Sequence, residues 1–440
     1  MKRIIYTQLI KWQKSPVRKP LLLQGARQVG KSYLLEQFGK SEFPSFFRFN
    51  FEQMPQLAKI FQTDLVPERI IRELSLIAGK TIIPEKHLLI FDEIQECPRA
   101  LTSLKYFNEE MPEMALCCAG SLLGVKLSSE SFPVGKLNLL HLYPMTFEEF
   151  LQALGKDQLI EIMQSANIAN PPPEIAHDML WELLMEYFIT GGLPQIVKEY
   201  IPLRNTPVEA RYNTRKLQQD LLASYYKDFA KHAGAINSMH IVAVLENIPM
   251  QLVRNQDGSV KRYIFKDVIS GKKSFADLQG PIDWLEQAGL VIKVKVCNRS
   301  ELPLESFCKP NLFKLFVFDV GLLGCMLNLP VEAIANDDYG ITKGYFAENF
   351  VAQELLSAGV QKLYSWTERN SQIEFLTNKD SKIIPLEVKA GIRTQAKSLQ
   401  QYIQKYSPDE AIILSKKNLM GKKDSVVKYV PLYMVGSLFS

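Results

Sequence analysis

Gly25-Ala26-Arg27-Gln28-Val29-Gly30-Lys31-Ser32 fits the pattern GxxxxGK[ST], with an apolar run before it and a helical pattern after it. The chemistry this spacing allows is phosphate binding. Glycines let backbone N–H groups curl around phosphate oxygens, and the N-terminus of the following helix, which Tyr33 continues, adds positive potential. Lys31 would reach the β- and γ-phosphates of ATP, and Ser32 would ligate Mg²⁺. A second signal is Leu88-Leu89-Ile90-Phe91-Asp92-Glu93, an apolar strand ending in two acids. Ligands of open α/β sheets bind outside the carboxyl ends of strands. There Asp92 would hold Mg²⁺ through water, and Glu93 would polarise an attacking water. An acidic pair capping the next helix is the plainer reading, but it does not account for the phosphate loop upstream. Ser121, at the end of the strand-like Met114–Ala119 stretch, is equally consistent with a phosphate sensor and with a helix N-cap. Asn50 and Glu52, at the end of Ser45–Phe51, could face the same site.

A separate constellation lies near the C-terminus. Glu348 falls on a helical stretch, Glu374 on a strand over Ser371–Thr377, and Glu387 and Lys389 on a strand over Ile383–Lys389. A period of two places Glu387 and Lys389 on one face. If Lys379–Lys382 closes a symmetric hairpin, Glu374 stands opposite Glu387. Directly opposed side chains lie about 5 Å apart at Cβ, so the two carboxylates repel unless a cation or a proton sits between them. A Mg²⁺ there, with Lys389 activating a water, would make a phosphodiesterase site. On spacing alone, an ordinary hairpin with Lys389 paired to a carboxylate is the favoured reading, since Glu-Val-Lys is a common tripeptide.

Basic residues concentrate in two places. Residues 1–20 hold Lys2, Arg3, Lys11, Lys14, Arg18 and Lys19 and no acid. Residues 250–300 hold Arg254, Lys261, Arg262, Lys266, Lys272, Lys273, Lys293, Lys295 and Arg299 against five acids. The helices around this second segment, followed by Leu290–Cys297 as a strand, read as a winged variant of helix-turn-helix. Its charge could contact double-stranded DNA or form a solvated face.

The elements that must position these residues follow from periodicity. Strand-like and helix-like segments alternate through the first 150 or so residues, which predicts an α/β fold with a parallel sheet covered by helices. Ala169–Pro173 breaks the pattern, because a proline triplet cannot continue a helix. Helices are expected over Ile175–Ile189 and Val208–Lys231, separated by a Gly191-Gly192-Leu193-Pro194 turn. After residue 335 the order is helix, three strands, helix, strand. The expected domains are residues 1–168, 174–335 and 336–440.

At 440 residues, with 47% hydrophobic and 22% charged residues, the composition excludes a disordered or collagen-like chain. No apolar run reaches the 18 or so residues that span a bilayer. The net charge of +5 is mild. The six cysteines lack a CxxC pair and read as reduced core thiols, and the five histidines show no ligand spacing. Ile5, Leu9 and Trp12 predict an amphipathic N-terminal helix rather than a signal peptide. A cytoplasmic chain with no membrane partner is expected.

The stretches PLLLQGARQVGKS, FNFEQ, LLIFDEIQECP, SLKYF and AGSLLG resemble a family of prokaryotic AAA-type P-loop ATPases. These carry a C-terminal domain of unknown function similar to the PD-(D/E)XK nuclease, or restriction-endonuclease-like, fold. VGKLNLLHLYPMTFEEFL, GGLPQIV, KLFVFDVGLL, ENFVAQELL and IPLEVKAG extend the resemblance over most of the chain, in the same order. It implies an ASCE-class ATPase with an extra strand between the phosphate-loop strand and the Asp92 strand, which agrees with Ser45–Phe51. It also implies the roles given above for Lys31, Ser32, Asp92 and Glu93, and supports the grouping of Glu348, Glu374, Glu387 and Lys389. Two positions depart from the family pattern. Glu374 stands where the family usually has Asp, and Lys136 where it often has Arg. Lys136, Arg99 and Arg27 are all candidates for a residue acting in trans in a homo-oligomer. The expectation is Mg²⁺-dependent ATP hydrolysis. Its output is a nuclease-like or DNA-binding C-terminal domain or, alternatively, a signalling switch whose catalytically inactive C-terminal domain binds a protein partner.

Overall fold

A computed structural model describes residues 1–121, 133, 135–233, 235–254, 262–368, 371–391, 396–422 and 425–439. The chain divides into two compact units. One comprises residues 2–143 with 287–289, and the other residues 144–286 and 290–440 with Met1.

In the first unit, short apolar runs bounded by glycine or polar residues form a sheet. Its strands are β1 (Leu21–Gly25), β2 (Ser45–Asn50), β3 (His87–Asp92), β4 (Ala115–Ser121) and β5 (Asn138–His141). The order is β2-β3-β4-β1-β5, and every pairing is parallel. The strand that separates β1 from β3 is therefore β4. Ser45–Asn50, expected from the sequence in that role, forms the sheet edge beside β3. Helices link β1 to β2, β2 to β3 and β3 to β4, as parallel strands require. These include α2 (Lys31–Glu42), α3 (Ala58–Thr63), α4 (Pro67–Ala78) and α5 (Pro98–Glu110), while α1 (Tyr6–Gln13) precedes β1. The core on one side packs Leu89 and Phe91 of β3 with Phe61, Leu74, Leu104 and Phe107 from the helices. Register fixes what matters for chemistry: Asn50 lies beside Asp92, Asp92 beside Ala119, and Gly25 beside Ser121. All these positions are at the carboxyl ends of their strands.

The second unit begins with helices. Phe147–Ala153 starts at a reciprocal cap in which Thr146 Oγ accepts from Glu149 N–H and Glu149 accepts from Thr146 N–H, which accounts for the TFEEF run. Helices Glu174–Thr190, Pro194–Leu203, Pro207–Ala233 and Ala235–Arg254 follow. The sheet here has seven strands: β6 (Val291–Cys297), β7 (Cys308–Val317), β8 (Leu363–Glu368), β9 (Ser371–Lys379), β10 (Lys382–Val388), β11 (Ala411–Ser415) and β12 (Val427–Pro431). Their order is β12-β11-β10-β9-β8-β6-β7. The β6–β7 hairpin, read from sequence as a wing, thus forms one edge of this sheet, with β6 parallel to β8. The sheet draws on residues well before position 336. Alternating Lys and Val in β6 gave no indication of which strand would receive its second set of backbone bonds.

Among the described residues no helix is long and apolar enough to cross a membrane.

Candidate functional site

The loop after β1 is shaped by two backbone constraints. Gly25 has φ 155°, and a Cβ there would meet the Leu142 carbonyl oxygen at 2.2 Å. Gly30, with φ 95°, turns the chain into α2. Between them Val29 is fully buried. Its carbonyl accepts from Arg3 at 2.9 Å, and Arg3 also donates to the Tyr143 carbonyl at 2.7 Å. Arg3, one of the six basic residues in the first twenty, is a buried brace behind the loop.

Lys31 Nζ donates to the carbonyls of Gly25 (3.0 Å) and Ala26 (2.8 Å). It is buried, and burial pulls its pKa down to about 8. Arg27 acts in the same direction, while Glu93 and Asp92 oppose it. Ser32 Oγ donates to Asp92 Oδ1 at 2.9 Å. Asp92, 1% exposed, accepts further bonds from the Glu93 backbone N–H (3.2 Å), Asn50 Nδ2 (3.1 Å) and Arg48 Nε (2.9 Å). A second Arg48 nitrogen also reaches Asp92 Oδ2, and Arg48 bonds Glu36 of α2 at 2.6 Å. Glu93 takes the left-handed conformation, φ 50°, and accepts from Gln95 Nε2 at 2.6 Å. Arg27, Gln28, Gly30, Lys31, Ser32, Tyr33 and Glu93 line one cavity of about 330 Å³.

The structure therefore brings Lys31, Ser32, Asp92 and Glu93 together. Ala26 and Val29 form the inner wall of the loop, and Tyr33 is exposed at its mouth. The backbone of Ser121 ends β4 beside Gly25, while its side chain lies outside the described residues. Glu52 faces Arg27 at 3.9 Å. Sequence reasoning missed Arg48. It lies two residues before Asn50 on β2 and so shares its face, which was the available signal. Of the residues considered for action in trans, Lys136 pairs with Glu109 at 2.9 Å and Arg99 donates to the Phe61 carbonyl at 2.6 Å.

In the second unit β9 and β10 pair in the symmetric register, Lys379 against Lys382, which sets Glu374 opposite Glu387. The turn is two residues, Asp380 and Ser381, both at positive φ. Both glutamates are buried. Glu374 Oε2 accepts from Val388 N–H at 3.1 Å. Lys389 Nζ lies 2.7 Å from Glu387 Oε1, while Glu387 Oε2 has no hydrogen-bond partner among the described residues. Burial raises the Glu387 pKa to about 8, and Glu374 adds to the rise against the pull of Lys389. Glu348, on the helix Thr342–Ser357, pairs with the equally buried Lys314 at 3.3 Å. Among the described residues no group of three or more His, Cys, Asp or Glu side chains is arranged to hold a metal ion.

Two lysines of the basic segment have acidic partners. Lys293 sits 3.1 Å from Glu286 and 3.6 Å from Asp283. Lys295 pairs with Glu305, which also takes Lys362. Arg262 and Lys266 are exposed. Lys261 and the side chain of Arg254 lie outside the described residues.

Residues 17–151 match a family model described as AAA domain. This segment is an AAA domain. Residues 181–333 and 343–435 match two domains of unknown function, DUF8612 and DUF4143. No curated protein matches the chain. Solved structures similar to it include the Walker-type ATPase PABY2304 of Pyrococcus abyssi, with 14% identity and TM-score 0.47, covering 73% of this chain and 94% of that one. The Aeropyrum pernix ORC1 protein in complex with DNA has 13% identity and TM-score 0.28, covering 76% and 94%. A RuvB protein of Thermotoga maritima has 12% identity and TM-score 0.30, covering 70% and 87%. The AAA domain match agrees with the parallel five-stranded sheet and its loop after β1, and it implies nucleotide binding.

Proposed function

We propose that the chain binds ATP with Mg²⁺ at the β1–α2 loop and hydrolyses it. The observation that carries this reading is the gathering of Lys31, Ser32 and Glu93 around one cavity, with Asp92 hydrogen-bonded to Ser32. Loop N–H groups and the start of α2 would cradle the phosphates. Lys31 would exchange the Gly25 and Ala26 carbonyls for phosphate oxygens, regaining its full charge. The Ser32 oxygen and, through water, Asp92 form a hard oxygen donor set that suits Mg²⁺. Bound there, the ion would neutralise charge developing on the phosphates. Glu93, at the carboxyl end of β3, would orient and polarise the attacking water. Asn50 and Arg48 hold Asp92 in place.

The output we infer is a change transmitted to the C-terminal domain. The paired carboxylates Glu374 and Glu387, with Lys389 beside them and one Glu387 oxygen still open to a ligand, favour a nuclease-like site there over an inactive protein-binding module. Double-stranded DNA is the substrate this reading needs. Arg262, Lys266 and the lysines nearby could contact it, although Lys293 and Lys295 already have carboxylate partners.

The test is ATP hydrolysis with and without duplex DNA, at low and moderate salt, in the wild type and Glu93→Gln. Glu93-dependent hydrolysis supports the ATPase, and salt-sensitive stimulation by DNA supports the coupling. Cleavage of supercoiled plasmid by the wild type but not Lys389→Ala supports the nuclease. Hydrolysis indifferent to DNA, with no cleavage, moves the output to a protein partner. No nucleotide binding would sink the whole reading.

A further inference from the structure

Cys297 ends β6 and Cys308 begins β7, and the antiparallel register sets them directly opposite. Their Sγ atoms are 2.7 Å apart. The neighbouring pair, Asn298 and Phe307, is joined by a backbone bond of 3.1 Å, so the cysteines occupy a non-hydrogen-bonded position. At such positions Cα atoms lie about 4.5 Å apart and side chains are closest, within the span of a disulfide. The strand also bulges between Lys295 and Cys297, which gives the backbone local latitude.

The two thiols differ in access. Cys297 is fully buried in a cluster with Trp366, Ile373, Leu399 and Tyr402. Cys308 is partly exposed, and the hydrogen bond from Cys297 draws its pKa below the usual thiol value. The other cysteines are differently placed. Cys117 and Cys118 are consecutive on β4, so their side chains point to opposite faces.

We propose that Cys297 and Cys308 are a thiol-modification site that closes reversibly into an intramolecular disulfide. The oxidant is a small-molecule disulfide. Cys308 thiolate attacks one of its sulfurs, expelling a thiolate and forming a mixed disulfide. Cys297, losing its proton, then attacks the Cys308 sulfur and expels the second small thiolate. The two cysteines lose two electrons in total, the small disulfide gains them, and the protons end on the two released thiols. The product ties the edge hairpin across the Asn298–Phe307 loop.

The experiment incubates the full chain with oxidised glutathione, then quenches, alkylates under denaturing conditions and maps peptides by mass spectrometry. The expected result is loss of two hydrogens from the intact mass. One cross-linked peptide pair should contain Cys297 and Cys308, dithiothreitol should reverse the link, and the other four cysteines should remain alkylated. Cys297→Ser should instead accumulate glutathione on Cys308, because the second attack is removed. Cys308→Ser should take up none at Cys297. Alkylation of both cysteines after oxidation, a persistent mixed disulfide in the wild type, or cross-links spread over other cysteines would overturn the proposal. The wild-type result decides even if a variant fails to fold.

Discussion

Asp92 and Glu387 are both acids at strand ends with almost no exposure, and the protein treats them in opposite ways. Both oxygens of Asp92 are occupied, Oδ1 by Ser32 and a backbone N–H, and Oδ2 by Asn50 and Arg48. Glu387 has Lys389 on one oxygen and, among the described residues, no partner on the other. A buried ionised group that is not fully hydrogen-bonded is costly, and it meets the cost by taking up a proton. Asp92 is thus fully hydrogen-bonded before any ligand arrives. The C-terminal cluster sets Glu348, Glu374 and Glu387 against Lys314 and Lys389, and burial beside Glu374 pushes the Glu387 carboxyl toward its protonated form.

The largest expected effect is on chemistry at the nucleotide site. Glu93→Gln should retain ATP binding and lose about 10²- to 10⁴-fold in hydrolysis rate, the usual contribution of a general base. Binding can be followed by fluorescence of a labelled nucleotide and turnover by phosphate release. Unchanged turnover would remove Glu93 from the mechanism.

Arg48→Ala would break the full hydrogen bonding of Asp92. Asp92 keeps Ser32 and Asn50, so the loss should be about 1–3 kcal/mol in urea unfolding without nucleotide. A neutral result would mean that Arg48 is a bystander at the edge of β2.

Glu387→Gln tests the other half. A glutamate whose folded pKa, about 8, exceeds its unfolded value binds more protons in the folded state. Its penalty is absent below the unfolded pKa and grows as pH rises toward 8. Wild-type stability should fall over that window by up to a few kcal/mol, and Glu387→Gln should flatten the fall. Parallel pH profiles of thermal unfolding would show that the proton is not there.

Lys31 offers a subtler probe. With its pKa near 8, it should bind a proton as phosphates arrive. ATP affinity should then weaken several-fold between about pH 7 and about pH 9. Calorimetry in buffers of different ionisation enthalpy would detect the proton, and buffer-independent heats would contradict it. The smallest effect concerns the basic segment. Lys293→Ala should cost about 1 kcal/mol, near the upper end for ion pairs whose acid partner is exposed, and leave duplex DNA retention unchanged.

The nucleotide site was legible in the sequence because its chemistry is local. A loop of eight residues and a strand ending in two acids need only correct ends, and periodicity supplies those. The β9–β10 register was legible too, since a two-residue turn fixes every later pairing. What escaped depends on long-range neighbours. Arg48 meets Asp92 only because β2 takes the edge beside β3. The pairing of β6 with β8 escaped because nothing in the alternation of β6 names its second partner. Lys293 and Lys295 looked like free charge because spacing alone does not show that Asp283, Glu286 and Glu305 fold back beside them. Cys297 and Cys308 face each other across a ten-residue connection with no CxxC spacing to announce it.

The brace formed by Arg3 has a practical side. One guanidinium joins the carbonyl of Val29 to that of Tyr143. The loop that must wrap phosphates therefore owes part of its rigidity to the third residue of the chain. A tether of this kind lowers the entropy of the empty loop, so less order has to be imposed when a ligand arrives. Deleting α1 together with the residues before it would leave every phosphate-binding group in the sequence and still blunt the site. An assay on such a shortened protein would report a loosened loop as a weak ligand.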